Sequence, residues 1–100
     1  MDSRNKIIRE AQYIKVTIKF PKKKGGNIND LKWMIRPWMT GAELIRNVRN
    51  NMKLEPEKTF FLCSNSVIIS GNMLIGSLHD KYKNDRGILE IVCLEENVFG

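Results

Sequence analysis

Few residues in this sequence are placed to make or break bonds. His79 is the only histidine, and spacing ties no Ser or Cys nucleophile to it, so neither a catalytic triad nor a histidine metal site has support. Cys63 and Cys93 each lie inside an apolar run, with no second pair to build a metal set or disulfide framework. Both read as buried free thiols in a reducing compartment. The glycines at 25, 26, 41, 71, 76 and 87 match neither a dinucleotide fingerprint nor a phosphate loop. Acidic residues are scattered rather than paired, which leaves a two-carboxylate hydrolase without its basis. The expectation is a protein that is not an enzyme and uses no metal or cofactor. Two features remain. One is the tail that reaches Phe99 and Gly100, where a residue without a Cβ lets its carboxylate thread a narrow channel toward ATP and then a catalytic cysteine. The other is a basic segment, Lys15, Lys19, Lys22, Lys23, Lys24 and Lys32, with Trp33 and Trp38 nearby.

Periodicity gives the strands and helices that carry these residues. Residues 13–20 alternate strictly, Ile14, Val16, Ile18 and Phe20 against Lys15, Thr17 and Lys19, as a half-buried strand requires. Pro21 and the Lys22–Gly26 run break it. A second strand from about Ile28 to Arg36 puts Leu31, Trp33 and Ile35 on one face and Lys32 and Met34 on the other, completing a hairpin. Thr40-Gly41-Ala42-Glu43 has the spacing of a capping box, and Leu44, Ile45, Val48 and Met52 then recur at helical intervals. A short apolar strand over 59–63 follows, then a turn at Asn65 and Ser66. Leu74, Ile75, Leu78 and Tyr82 fit a short second helix, Asn84–Gly87 a turn, and 88–94 a last strand.

One amphipathic helix can hide its apolar stripe only on a sheet, so this order gives a two-layer α+β domain. With the first and last strands parallel at the centre, it is the ubiquitin-like β-grasp: a four-stranded mixed sheet on one main helix plus a short second helix. One hundred residues suit one such domain. The expected organisation is an N-terminal arm over 1–12, the ubiquitin-like domain over 13–94 and a C-terminal tail over 95–100.

Net charge is +6, but it is uneven: residues 1–50 hold twelve Lys and Arg against four Asp and Glu, and residues 51–100 hold five against seven. The acidic second half and the lack of a paired-aromatic RNA signature argue against nucleic acid. No apolar stretch has the length of a signal peptide core or a membrane span, so a cytosolic or nuclear protein is expected, with any membrane contact indirect. The second strand and the following helix could frame a groove for an extended peptide, with Trp33, Met34, Ile35 and Leu44 as walls.

From Lys15 to Gly100 the chain resembles the autophagy ubiquitin-like modifiers. Residues 15–20, Gly25-Gly26, Leu31-Lys32-Trp33, Asn65-Ser66, Ser70 and Ile75–Leu78 are similar to the protein-conjugated branch, that of autophagy-related protein twelve. Lys53–Lys58 and Glu96–Gly100 are close to the lipid-conjugated branch, the GABARAP and light-chain group. The first branch is the expected one, because residues 1–12 are too few for the two leading helices of the second. The resemblance implies that Gly100 is activated by an E1-like enzyme, passed to an E2-like enzyme and joined to an acceptor protein lysine, Phe99 helping to seat the tail. It further implies that Lys15, Lys32 and Trp33 recruit the E2-like enzyme, in the cytoplasm and at the autophagosome-forming membrane. The alternative it carries is conjugation to phosphatidylethanolamine together with binding of short receptor peptides by β-strand addition. A β-grasp interaction module that is not conjugated at all is a further alternative.

Overall fold

A computed structural model describes residues 12–20, 30–52 and 59–95. The elements run β1 (Ile14–Lys19), β2 (Leu31–Ile35), α1 (Gly41–Met52), β3 (Phe60–Ser64), β4 (Val67–Ile68), α2 (Ile75–Tyr82) and β5 (Ile88–Glu95). The sheet order is β2-β1-β5-β3-β4. β1 pairs with β5 in parallel, Lys15 opposite Ile88 and Lys19 opposite Val92, and the other pairs are antiparallel. This is the expected β-grasp with one strand more than expected. The extra strand, β4, is two residues long, too short to show a period. It exists because Asn65 and Ser66 both take positive φ, 50° and 68°, and fold the chain straight back on β3.

The alternation in β1 comes from burial on one side. Val16 and Ile18 are fully buried with Leu44 and Val48 of α1, Leu62 of β3, Ile75 of α2, and Leu89 and Ile91 of β5, and Leu78 of α2 is nearly so. The stripe Leu44, Ile45, Val48, Met52 faces this core, Leu44 and Val48 completely and the other two in part. Leu44 is therefore closed to a partner, contrary to the groove reading. Cys93 is buried but Cys63 is only half-buried, because it sits on the sheet face away from α1, opposite Val92. Leu74, expected on the apolar face of the second helix, is 46% exposed: it precedes α2 and bridges to Thr40 instead.

The capping box forms as its spacing requires. The Thr40 backbone N–H and hydroxyl both donate to Glu43 Oε1 at 3.0 Å, and the Glu43 N–H donates to Thr40 Oγ1 at 3.2 Å. The start of α2 has no side-chain cap. Its orphan donors are met by the β2–α1 connection, Ile75 N–H donating to the Met39 carbonyl at 2.9 Å and Gly76 N–H to the Pro37 carbonyl at 2.8 Å. That approach requires glycine, since a Cβ at position 76 would lie 2.6 Å from the Pro37 oxygen.

Two outcomes follow. Gly76→Ala must push α2 off the β2–α1 connection and should cost about 2–3 kcal/mol in urea unfolding, whereas Gly71→Ala, with room for the methyl, should cost far less. The second concerns pH. Hydrogen bonds from the Thr40 N–H, then from its hydroxyl, hold the Glu43 carboxyl below its ordinary range. A depressed carboxylate stabilises the fold above the unfolded-state pKa and loses that contribution as pH falls through the folded-state value. Wild type should thus melt above Glu43→Gln at neutral pH, and the gap between the two melting temperatures should close on acidification.

Candidate functional site

β2 is an edge strand, hydrogen-bonded to β1 on one side only, so its other row of backbone N–H and C=O groups has no strand partner among the described residues. Pleating sends its side chains alternately to the two faces. Trp33 stands opposite Val16 on the α1 side and is half-buried against the core. Lys32 and Met34 stand opposite Thr17 and Lys15 on the outer side and are exposed, Met34 at 61%.

A hollow opens on each side of this edge. The outer one, about 650 Å³, is lined by Lys15, Thr17 and Lys19 of β1, Lys32 and Met34 of β2, Ile88 and Glu90 of β5, and the turn residues Asn84, Asp85 and Arg86. The inner one, about 760 Å³, lies between β2 and α1, with Trp33, Ile35 and Met39 on its apolar side and Asn47, Asn50 and Asn51 of α1 on its polar side. An extended segment laid along β2 would therefore meet backbone partners at the edge and a recess for alternate side chains on each face.

The outer wall is built by register. Parallel pairing of β1 with β5 sets Ile88 opposite Lys15 and brings the preceding turn beside β2. Asn84 shapes that turn: its Oδ1 accepts from the Arg86 N–H at 2.9 Å and the Ile88 N–H at 3.1 Å, and Gly87 takes φ +78°. His79, the lone histidine, has its Nε2 2.8 Å from the Gly87 carbonyl oxygen, fastening α2 to the turn. Its role in the fold is structural.

Of the residues expected at a partner site, Lys15 lines the outer hollow, and Lys32, Trp33 and Met34 border both. Ile35 borders the inner hollow but is 6% exposed and belongs to the core, which corrects its place as a contact residue. The basic character expected of the segment is also reduced. Lys19 Nζ lies 3.1 Å from Glu90 Oε2, and Asp30 and Asp85 share the outer hollow with the lysines. Lys22, Lys23, Lys24, Gly25, Gly26, Phe99 and Gly100, with the arm over residues 1–11 and Lys53–Lys58, lie outside the described residues. Ile88 and the 84–86 turn are walls that no sequence pattern marks, because only the β1–β5 register brings them there. No group of three His, Cys, Asp or Glu residues able to hold a metal occurs among the described residues. No helix among them is long and apolar enough to cross a membrane.

Part of the similarity to the protein-conjugated branch has a packing explanation. Gly76 is required against Pro37, Ile75 and Leu78 are core, and Asn65-Ser66 is the tight β3–β4 turn. Such positions follow from the fold.

Comparison with known proteins separates the two branches. A family model described as "Autophagy protein Atg8 ubiquitin like" matches residues 1–100. The chain is similar to autophagy-related protein 8 of Coccidioides immitis, with 30% identity over 73 residues, and to that of Aspergillus niger, with 29% over 73. Each match covers 73% of this chain and 62% of the relative, so the likeness spans less than two thirds of those proteins' length. The crystal structure of Trypanosoma brucei ATG8 superposes with a TM-score of 0.72 at 21% identity, covering 98% of this chain and 87% of that one, a likeness of fold. The family model and the sequence relatives support the lipid-conjugated branch of the resemblance and leave the protein-conjugated branch, the one expected, without support.

Proposed function

We propose a function from the premise that this chain belongs to the Atg8 ubiquitin-like family of autophagy proteins: it is a modifier carried to membrane lipid, and it displays a peptide-binding edge once there. In this reading an E1-like enzyme adenylates the Gly100 carboxylate, releasing pyrophosphate from ATP, and an E1 thiol displaces AMP to give a thioester. The acyl group passes to the cysteine of an E2-like enzyme. The amine of phosphatidylethanolamine then attacks the thioester, forming an amide and freeing the thiol. Phe99 helps to seat the tail, and the chain is the substrate of these steps, catalysing none. The protein is cytoplasmic until conjugation recruits it to the autophagosome-forming membrane.

The observation that carries the display half of this reading is the free edge of β2 with a hollow on either face. A partner segment adds as a strand and gains main-chain hydrogen bonds along Leu31–Ile35. Adjacent residues of a strand point to opposite faces, so the two side chains that fill the hollows are separated by an odd number of positions. Met34 and Ile88 give the outer hollow its apolar surface, and Lys15 and Lys32 at its rim favour carboxylates beside the inserted group. Trp33 and Met39 offer the inner hollow to an aliphatic side chain.

Incubation with ATP and an Atg8-activating E1-like enzyme should give a thiol-sensitive adduct on a non-reducing gel, which Gly100→Ala abolishes. Lys32→Glu should leave that adduct intact while weakening binding of an acidic, aromatic-containing peptide by about tenfold in calorimetry. If an active E1-like enzyme forms no adduct with the wild-type chain, the conjugation reading fails and a β-grasp interaction module remains. Equal peptide affinity for wild type and Lys32→Glu would remove the lysines from the partner site.

A further inference from the structure

Met34 lies within the β2 edge and is 61% exposed, whereas Met39, Met52 and Met73 are partly buried against the core. It borders both hollows, and with Ile88 it supplies the apolar wall of the outer one. A thioether is oxidised where solvent reaches its sulfur, and the sulfoxide that results turns a flexible apolar side chain into a polar one. Met34 therefore combines two properties. It is open to a small oxidant, and it is part of the surface that an added strand's side chains must meet.

The neighbours of Met34 enlarge the effect of such a change. Lys15 stands directly opposite it in the β1–β2 register and on the same outer face. Side chains paired in this way start from Cβ atoms about 4.5–5.5 Å apart. A sulfoxide oxygen accepts hydrogen bonds strongly, and the Lys15 ammonium is a donor beside it. Oxidation would thus remove an apolar wall and also draw Lys15 away from a partner's carboxylate. The half-buried thiol of Cys63 is placed differently: β3 is three strand spacings from β2, roughly 14 Å, so a change at that sulfur does not reach the edge.

We propose that Met34 is an oxidative modification site that regulates the β2 edge: hydrogen peroxide converts its thioether to the sulfoxide, and the sulfoxide form binds an added strand more weakly. In this step the O–O bond of the peroxide breaks and an S–O bond forms. The sulfur loses two electrons, and the second peroxide oxygen leaves as water. Reversal consumes two thiols, which leave as a disulfide while the sulfoxide oxygen departs as water and the thioether returns. The inference rests on the strand-addition reading and adds a reversible control to that edge.

The test uses the full chain and the synthetic peptide Asp-Asp-Trp-Glu-Thr-Leu, with aromatic and aliphatic groups at an odd separation. After graded peroxide treatment, mass mapping should find one added oxygen on Met34 before Met39, Met52 or Met73. The treated chain should bind the peptide about tenfold more weakly by fluorescence anisotropy. Dithiothreitol with the reductases for both sulfoxide epimers should restore the affinity, and dithiothreitol alone, which reverses thiol oxidation, should not. Met34→Leu, whatever its own starting affinity, should bind equally before and after treatment, while Met73→Leu should lose affinity as wild type does. If the untreated chain binds but its Met34 sulfoxide binds equally well, or Met34→Leu loses as much on treatment as wild type, the inference falls and the edge reading stands. Oxidation of a partly buried methionine ahead of Met34 would overturn it in the same way. If the untreated chain does not bind the peptide, both readings fall.

Discussion

Parallel pairing between β1 and β5 is the constraint on which the rest of this fold depends. It joins segments about 70 residues apart in sequence and fixes which strands lie at the centre of the sheet and which at its edges. Closing so long a loop is entropically costly, and it is offset by burying Val16, Ile18, Leu89 and Ile91 together beneath α1. With the two central places taken, β2 is left at one edge and β4 at the other. The β4 edge is two residues long and presents little to add to. The β2 edge is five residues long and open among the described residues, and it is the edge with recesses on both faces.

The same register builds the site. Setting Lys15 opposite Ile88 carries the Asn84–Gly87 turn to the outer face, and the Asn84 side chain and His79 ring then hold it in shape. On the other face, the β2–α1 connection is pinned twice, by the Thr40–Glu43 cap and by the Pro37 and Met39 carbonyls that receive the first N–H groups of α2. The turn and the connection that flank β2 are thus held by hydrogen bonds of their own, which favours recesses largely formed before a ligand arrives.

Features governed by near neighbours were legible in the sequence. The capping box is a contact between residues three apart, and the alternation of residues 14–20 reports a strand with one face on the core. The parallel centre of the sheet was also legible, since few arrangements hide one helical stripe. Legibility failed where a residue's surroundings come from distant chain. Ile35 and Leu44 looked equally suited to a groove or a core, and only the packing of α1 against β1 assigns them to the core. Ile88 gives no sign in sequence of facing Lys15. A stack of Arg36 on Tyr13 and Trp38 was invisible for the same reason, as it joins the first strand to a connection more than twenty residues later. The branch within the family was not legible, because Gly76 and Asn65-Ser66, which resemble the protein-conjugated branch, are demanded by the fold itself.

The central claim is that the open edge of β2 is where partners bind, and amide hydrogen exchange tests it residue by residue. Alternate amides of Leu31–Ile35, those pointing away from β1, should exchange quickly in the free protein and become protected when an acidic, aromatic-containing peptide binds, with the β3–β4 edge unchanged. Protection that appears on β3 and β4, with the β2 amides still exchanging at their free rate, would contradict the account.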